Sequence, residues 1–223
     1  VQLRVGRALI QLVELATDNA QRAVYAKQFR AGLDSKKWPA DAFTLNQLSS
    51  VRYALAQWYG DKASVTLCEC ILEVARAHQA DSAHGQTDLR TALHRAWDTY
   101  KNVGDTHKAY VLCKEWAEPI RCRAQSDPTP ENLEEVGYVL DSLIYLCPED
   151  RLGDDYPGEI MPMLHENVSI RRLQCEQCRT SEASATATGL LIDALHKLTD
   201  RVPLIEAVDV FKEIADLRRT IAA

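Results

Sequence analysis

The sequence predicts an all-α fold, a continuous stack of about five helical hairpins, and three observations carry that expectation. Apolar residues recur at three- and four-residue spacing along nearly the whole chain. A small-polar step ending in aspartate interrupts the pattern at Thr17-Asp18, Gly60-Asp61, Gly104-Asp105, Gly153-Asp154 and Thr199-Asp200, so successive aspartates lie 43, 44, 49 and 46 residues apart. A recurrence of this length marks an array of two-helix units. Finally, 9 glycines and 8 prolines among 223 residues are too few for the many turns of an all-β chain.

The expected hairpins cover residues 1–38, 39–82, 83–127, 128–180 and 181–223, as a single domain. In the first, Val5, Leu9, Leu12, Val13 and Ala16 form one apolar stripe. A partner helix from about Ala20 to Leu33 turns Ala23, Val24, Phe29 and Leu33 inward. Pro39 then ends the pattern, because it disfavours helical backbone at Trp38. The second hairpin repeats the scheme with Leu48, Val51, Leu55 and Trp58, then Val65, Cys68, Leu72 and Ala75. A polar stretch from Gln79 to Thr87 separates it from the third, where Leu89, Leu93, Ala96, Trp97 and Tyr100 precede Ala109, Leu112, Cys113 and Trp116.

Asp127-Pro128-Thr129-Pro130 is the clearest boundary: Thr129 is placed to cap the next helix, and Pro130 suits a first position, where the missing N–H costs nothing. Leu133, Val136, Leu140, Leu143 and Ile144 make that helix's apolar face. A long connection from Cys147 to Pro157 accounts for the widest interval. The helix after it, roughly Pro162 to Arg179, is expected to bury Leu164, Val168, Cys175 and Cys178. Leu191, Ile192, Leu195 and Leu198 begin the fifth hairpin, and Val208, Phe211 and Ile214 complete it after Pro203. Ile205, Val210 and Leu217 broaden the last apolar face. An end unit facing water is usually polar, so another helix is expected to cover this one.

Composition excludes several function classes. A formal charge of −6 argues against non-specific capture of a phosphate backbone, so nucleic-acid binding stands as a third and less favoured function class. The small clusters Arg171-Arg172 with Arg179, and Arg121 with Arg123, read as hydrated or helix-end residues. Seven irregularly spaced cysteines point to a reducing intracellular compartment, cytoplasmic or nuclear, rather than a disulfide framework. Asn167-Val168-Ser169 matches a glycosylation triplet, which chance explains. No stretch approaches the roughly 18 apolar residues of a membrane span, so no membrane partner is expected. Helical patterning begins at Val1, which reads as a segment of a longer protein.

No catalytic residue, metal ligand or cofactor is expected. Cys175-x-x-Cys178 lacks the second pair that a structural zinc needs, and both cysteines continue an apolar stripe. Cys68 and Cys70 face different sides of a helix. There is no G-x-S-x-G elbow and no glycine-rich loop to cradle phosphates. The adjacent carboxylates Asp154-Asp155 and Glu134-Glu135 read as solvated neighbours.

LHRAWDTYKNVGDTHKAYVLCKEW, from Leu93 to Trp116, resembles a tetratricopeptide repeat. Leu93, Ala96, Tyr100, Gly104, Asp105 and Ala109 fall on matching positions, and NLEEVGYVL (Asn132 to Leu140) repeats the first half with Leu133, Val136, Gly137 and Leu140 in register. Trp97 and Trp116 depart from it, standing where the family has small residues that let paired helices approach. The units also exceed the family's roughly 34 residues by about ten. The resemblance therefore implies a TPR-like superhelix, a related right-handed α-solenoid with longer helices. HEAT-type repeats of roughly 40 to 47 residues are the competing fold.

In such superhelices the first helix of each hairpin lines a concave groove that holds peptides or partner helices. Transferred by register, the groove positions are Arg4, Arg7, Gln11 and Glu14 in the first unit, and Tyr53 and Gln57 in the second. The third offers His94, Asp98, Lys101 and Asn102, the fourth Glu134, Tyr138 and Asp141, and the fifth Asp193, His196 and Lys197. The plainer reading of each is a solvated helix face. Mixed charge argues against a clamp for a C-terminal carboxylate and for an extended segment or amphipathic helix of mixed charge. The expected function is a protein-interaction scaffold for a protein or peptide partner, not an enzyme. The alternative is a regulatory or structural arm of a larger enzyme, packed against other domains of its own chain.

Overall fold

The computed structural model describes residues 8–9, 11–13, 15–31, 41–81, 85–147, 160–178 and 181–222, and among them only helices and short turns occur. Helical residues between 8 and 15 precede nine bounded helices. These are α1 (Asn19–Ala31), α2 (Ala42–Tyr59), α3 (Asp61–Asp81), α4 (Gly85–Asn102) and α5 (Thr106–Ser126), followed by α6 (Pro130–Leu146), α7 (Ile160–Gln177), α8 (Ser181–Thr199) and α9 (Leu204–Ala222). The chain forms two compact units, residues 1–113 and 114–223. In the first, α1 packs on α2, α2 on α3 and α3 on α4, and α2 also touches α4. In the second, α6 packs on α7, α7 on α8 and α8 on α9. Burial between chain neighbours is the packing logic of a solenoid.

The recurrent steps end helices for local chemical reasons. Gly60 (φ 76°) and Gly104 (φ 83°) occupy the left-handed region that a side chain disfavours. The Gly60 N–H donates to the Ala56 carbonyl at 2.9 Å, satisfying one of the last carbonyls of α2. The aspartates then start the next helix. Asp18 accepts from the Ala20 N–H at 2.9 Å, and Asp105 from the Lys108 N–H at 3.1 Å. Thr129 caps α6 through the Asn132 N–H at 3.3 Å, and Pro130 is its first residue, as its chemistry predicts. α8 stops at Thr199. Gly153-Asp154, Leu33, Trp38-Pro39 and most of the Cys147–Pro157 connection lie outside the described residues.

Several elements differ from the sequence expectation. In the polar stretch from Gln79 to Thr87 the described residues are helical, since α3 reaches Asp81 and α4 begins at Gly85, with 82–84 outside the described residues. Gly85 makes that join possible: a Cβ there would lie 2.5 Å from the Gln79 Cα and 2.7 Å from the His78 carbonyl oxygen. Backbone cannot move aside as a side chain can. Gly85→Ala is therefore expected to destabilise the chain by about 1–3 kcal/mol, read as a lowered urea midpoint. An unchanged midpoint would contradict this close approach.

The core of the first unit holds Leu48, Val51, Leu55, Leu67, Leu93, Trp97 and Tyr110; that of the second holds Trp116, Ile120, Leu133, Leu140, Leu143, Leu164 and Leu195. Both indoles are buried rather than pushing their helices into solvent. Other stripe residues are not where periodicity put them. Leu12, Val24, Val208 and Phe211 are exposed and Ile205 is 82% exposed, while Ala207 joins the expected Ile214 on the inner face of α9. Val65, Ile144, Val210 and Leu217 are half-buried. Cys175 and Cys178 are half-buried too, because α7 turns Asn167, Arg171 and Gln174 inward after its apolar first turns. Val5 and the side chain of Trp58 lie outside the described residues.

Candidate binding cleft

In α2 the residues Asn46, Ser50, Tyr53 and Gln57 recur at four, three and four residues, so they share one face. The opposite face carries Leu48, Val51 and Leu55 into the core, which leaves the polar stripe outward. An open cleft of about 500 Å3 lies over the Asn46, Ser50 and Tyr53 part of that stripe, lined also by Ser49, Arg22, Arg52 and Arg95. A smaller one of about 170 Å3 shares Asn46, Ser49 and Arg95 and adds Asp88 and Thr91 of α4. Both therefore sit on first helices of successive hairpins within the first unit.

The arginines are positioned by the fold. Arg22, near the start of α1, donates through Nε to the Val13 carbonyl and through Nη2 to the Ala16 carbonyl, both at 3.0 Å. It thus satisfies carbonyls at the end of the preceding helical residues. The Nη1 of Arg52 donates to the Thr99 hydroxyl oxygen at 3.2 Å, tying α2 to α4. Thr99 is itself buried and donates to the Arg95 carbonyl at 2.8 Å. The Cys68 thiol, 3.5 Å from the same hydroxyl, is pushed up by burial, only partly countered by that hydrogen bond. Arg95 is exposed at the rim. Among the described residues, the larger cleft is lined by three arginines and no carboxylate, in a chain whose net charge is −6. Asp88, in the smaller cleft, sits 3.2 Å from the His78 Nε2.

Tyr53 and Gln57 are thus exposed on the cleft stripe, Tyr53 at 66%. The third-unit positions divide between two sides of α4. His94 meets the Trp97 ring edge-on, centroids 5.7 Å apart, and the Lys101 Nζ lies 5.3 Å from the same ring's centroid. Burial, opposed by the Asp98 carboxylate and reinforced by Arg95, lowers the His94 pKa. Asp98 is half-buried, and the Asn102 amide donates to Asp61 at 3.0 Å. Tyr100 and Lys108 both donate to Glu69. Burial is the main cause raising the Tyr100 phenol to about 12.

In the second unit the structure brings Asp141 and Lys197 together, at 2.7 Å between Oδ1 and Nζ. The other oxygen of Asp141 accepts from the Arg171 Nη2 at 2.6 Å, and the Asn167 amide donates to Oδ1 at 2.9 Å. Arg171 also donates to Gln174 at 2.9 Å. Burial opposes ionisation of Asp141, but the Lys197 ammonium and the Arg171 guanidinium outweigh it and hold the carboxyl below its usual range. Gly137 lies directly under the guanidinium: a Cβ there would be 2.5 Å from the Arg171 Cζ. Gly137→Ala is expected to displace Arg171 and cost about 2 kcal/mol through the hydrogen bonds lost, read by thermal melting. A variant that melts like the parent chain would show that the guanidinium is free to shift.

Tyr138 packs edge-on against Trp116 with centroids 6.0 Å apart, and Glu134 and Asp193 are exposed. His196 lies 3.0 Å from the Arg218 Nη2. Gln11 is exposed, while Arg4, Arg7 and Glu14 lie outside the described residues. Sequence reasoning missed Asn46, Ser49 and Ser50, which extend the Tyr53–Gln57 stripe one and two turns towards the N-terminus. It also missed Arg22, Arg52 and Arg95. All seven cysteines are free thiols. Among the described residues no group of three or more His, Cys, Asp or Glu side chains is placed to hold a metal ion, and no helix is long and apolar enough to cross a membrane.

Two solved structures share this architecture. One consists of the kinesin-light-chain-like, nearly identical TPR-like repeats from Podosopora anserina; at 14% identity and a TM-score of 0.50, the match covers 99% of this chain and 97% of that one. A single-substitution form of those repeats matches with the same identity and score over 97% and 96% of the two chains. No protein-family model matches the sequence, and no curated protein matches it. The chain has the fold of a TPR-like α-solenoid.

Proposed function

We propose that this chain is a protein-interaction scaffold, a binding module rather than an enzyme, which holds an extended peptide or a partner helix against the first helices of its hairpins. One observation carries the reading: in the first unit, open clefts lie on the exposed faces of α2 and α4, the first helices of two successive hairpins. Exposed Tyr53 gives such a surface an aromatic anchor of the kind enriched at binding hot spots. On this reading Tyr53, Gln57, Asp98, Lys101 and Asn102 contact the ligand, and residues 1–223 act as one repeat array. Seven free thiols support an intracellular setting.

Selection of a displayed random-peptide library against the full chain tests the proposal. Peptides so obtained are expected to lose at least tenfold in affinity against Tyr53→Ala, and against Asp98→Lys or Lys101→Glu. Peptides indifferent to all three, but sensitive to exchanges on α3, would contradict it.

A second reading is favoured by the exposed Ile205, Val208, Phe211 and Ile221 of α9. There the chain is a helical arm whose last helix packs against another domain of its own protein. Strong binding of an apolar dye, abolished by Ile205→Lys with Phe211→Lys, is the expected result. A chain that binds no dye would remove this reading.

A further inference from the structure

We propose that the larger cleft of the first unit selects an acidic segment of its partner, engaging side-chain carboxylates of aspartate or glutamate rather than a chain terminus. This deepens the scaffold reading and rests on it. Three arginines, from α1, α2 and α4, converge on one cleft that has no carboxylate among the described residues of its lining, within a chain of net charge −6. A local positive site on an acidic molecule attracts an anionic segment while the rest of the surface repels it, which favours one register over diffuse attachment.

Donor capacity remains for a ligand. A guanidinium has five N–H donors; Arg22 uses those on Nε and Nη2 for two carbonyls, and Arg52 uses Nη1 for one hydroxyl. These internal bonds hold both planes in place, so less side-chain freedom is lost when a carboxylate docks. Arg95 at the rim adds a third fork. Asn46 and Ser50 can hydrogen-bond the peptide backbone, and the Tyr53 ring covers its apolar portion. Because three guanidinium groups from three helices line the cleft, the fit is to an internal acidic run. A single C-terminal carboxylate would satisfy only one fork.

The test uses fluorescence anisotropy of the full chain with four labelled decapeptides of matched length. One is rich in Asp and Glu with an amidated C-terminus, and one has the same sequence with a free C-terminus. The third replaces its acids by Asn and Gln, and the fourth by Lys. The two acidic peptides are expected to bind within about twofold of each other and at least tenfold more tightly than the neutral one. Arg95→Glu should weaken them at least tenfold, and Lys212→Glu, on an exposed lysine of α9, by less than twofold. Affinity that survives Arg95→Glu, or that depends on a free C-terminus, would overturn the proposal. Neutral or basic peptides binding equally well, and still sensitive to Tyr53→Ala, would overturn the acidic preference yet leave the scaffold reading standing. Failure of all four peptides to bind would also overturn the acidic preference, and the library selection then decides the scaffold reading separately.

Discussion

Replacing Asp141 by alanine is expected to destabilise the chain by about 3 kcal/mol or more, because it leaves the Arg171 guanidinium buried without a counter-charge. Arg171 is 3% exposed, and only Gln174 would still accept from it. Asn167, fully buried, would lose the acceptor for its amide as well. Lys197 reaches water and matters less. The same pairing makes stability depend on pH in a fixed direction. The Asp141 carboxyl is held below its usual range in the folded chain, so its contribution is complete above the unfolded value of about 3.9. It is then lost as pH falls through the folded pKa. Thermal melts should show the parent chain converging on Asp141→Asn under acid conditions and separating from it at neutral pH. A double change, Asp141→Leu with Arg171→Met, should recover much of the loss, since an apolar pair avoids the desolvation cost. A single variant costing under about 1 kcal/mol would mean that solvent screens the pair.

Trp116→Ala is expected to cost about 3–5 kcal/mol, the range for removing a buried large aromatic. The repeat pattern argues the opposite, since alanine is what that position usually holds. Here Trp116 is 4% exposed and meets Tyr138 edge-on, so the helices have accommodated the indole. Shrinking it leaves a cavity in a core that does not collapse freely. Urea denaturation of Trp116→Ala beside Tyr138→Ala measures this, and the first variant should lose far more. A stabilised Trp116→Ala would show that the consensus spacing is still available to the chain.

Helix ends were legible because their causes are local: Gly60 and Gly104 adopt positive φ, and Thr129 with Pro130 caps a helix from within four residues. The inner face of α7 was not. Arg171 reads as a hydrated or helix-end residue until Asp141, 30 positions away, supplies its partner, and Asn167, 26 positions from the same carboxylate, joins it. Cys175 and Cys178 continued the apolar spacing, yet burial followed the polar node instead. In α9, Val208 and Phe211 were equally good core positions by period, but Ala207 and Ile214 are the buried ones.

The cleft was half-legible for a related reason. Tyr53 and Gln57 followed from register along one helix, and carrying that register back two turns would have added Ser50 and Asn46. Arg22, Arg52 and Arg95 come from three helices, and only folding places them around one opening. No periodicity in a single element announces such a convergence.

Photo-cross-linking tests the central claim most directly. An acidic, amidated peptide bearing a benzophenone would be irradiated with the full chain, and the attachment points mapped by mass spectrometry. The account predicts attachment to the exposed stripe of α2 between Asn46 and Gln57, and to α4 around Thr91 and Arg95. Attachment confined to α3, or to the second unit alone, would contradict it.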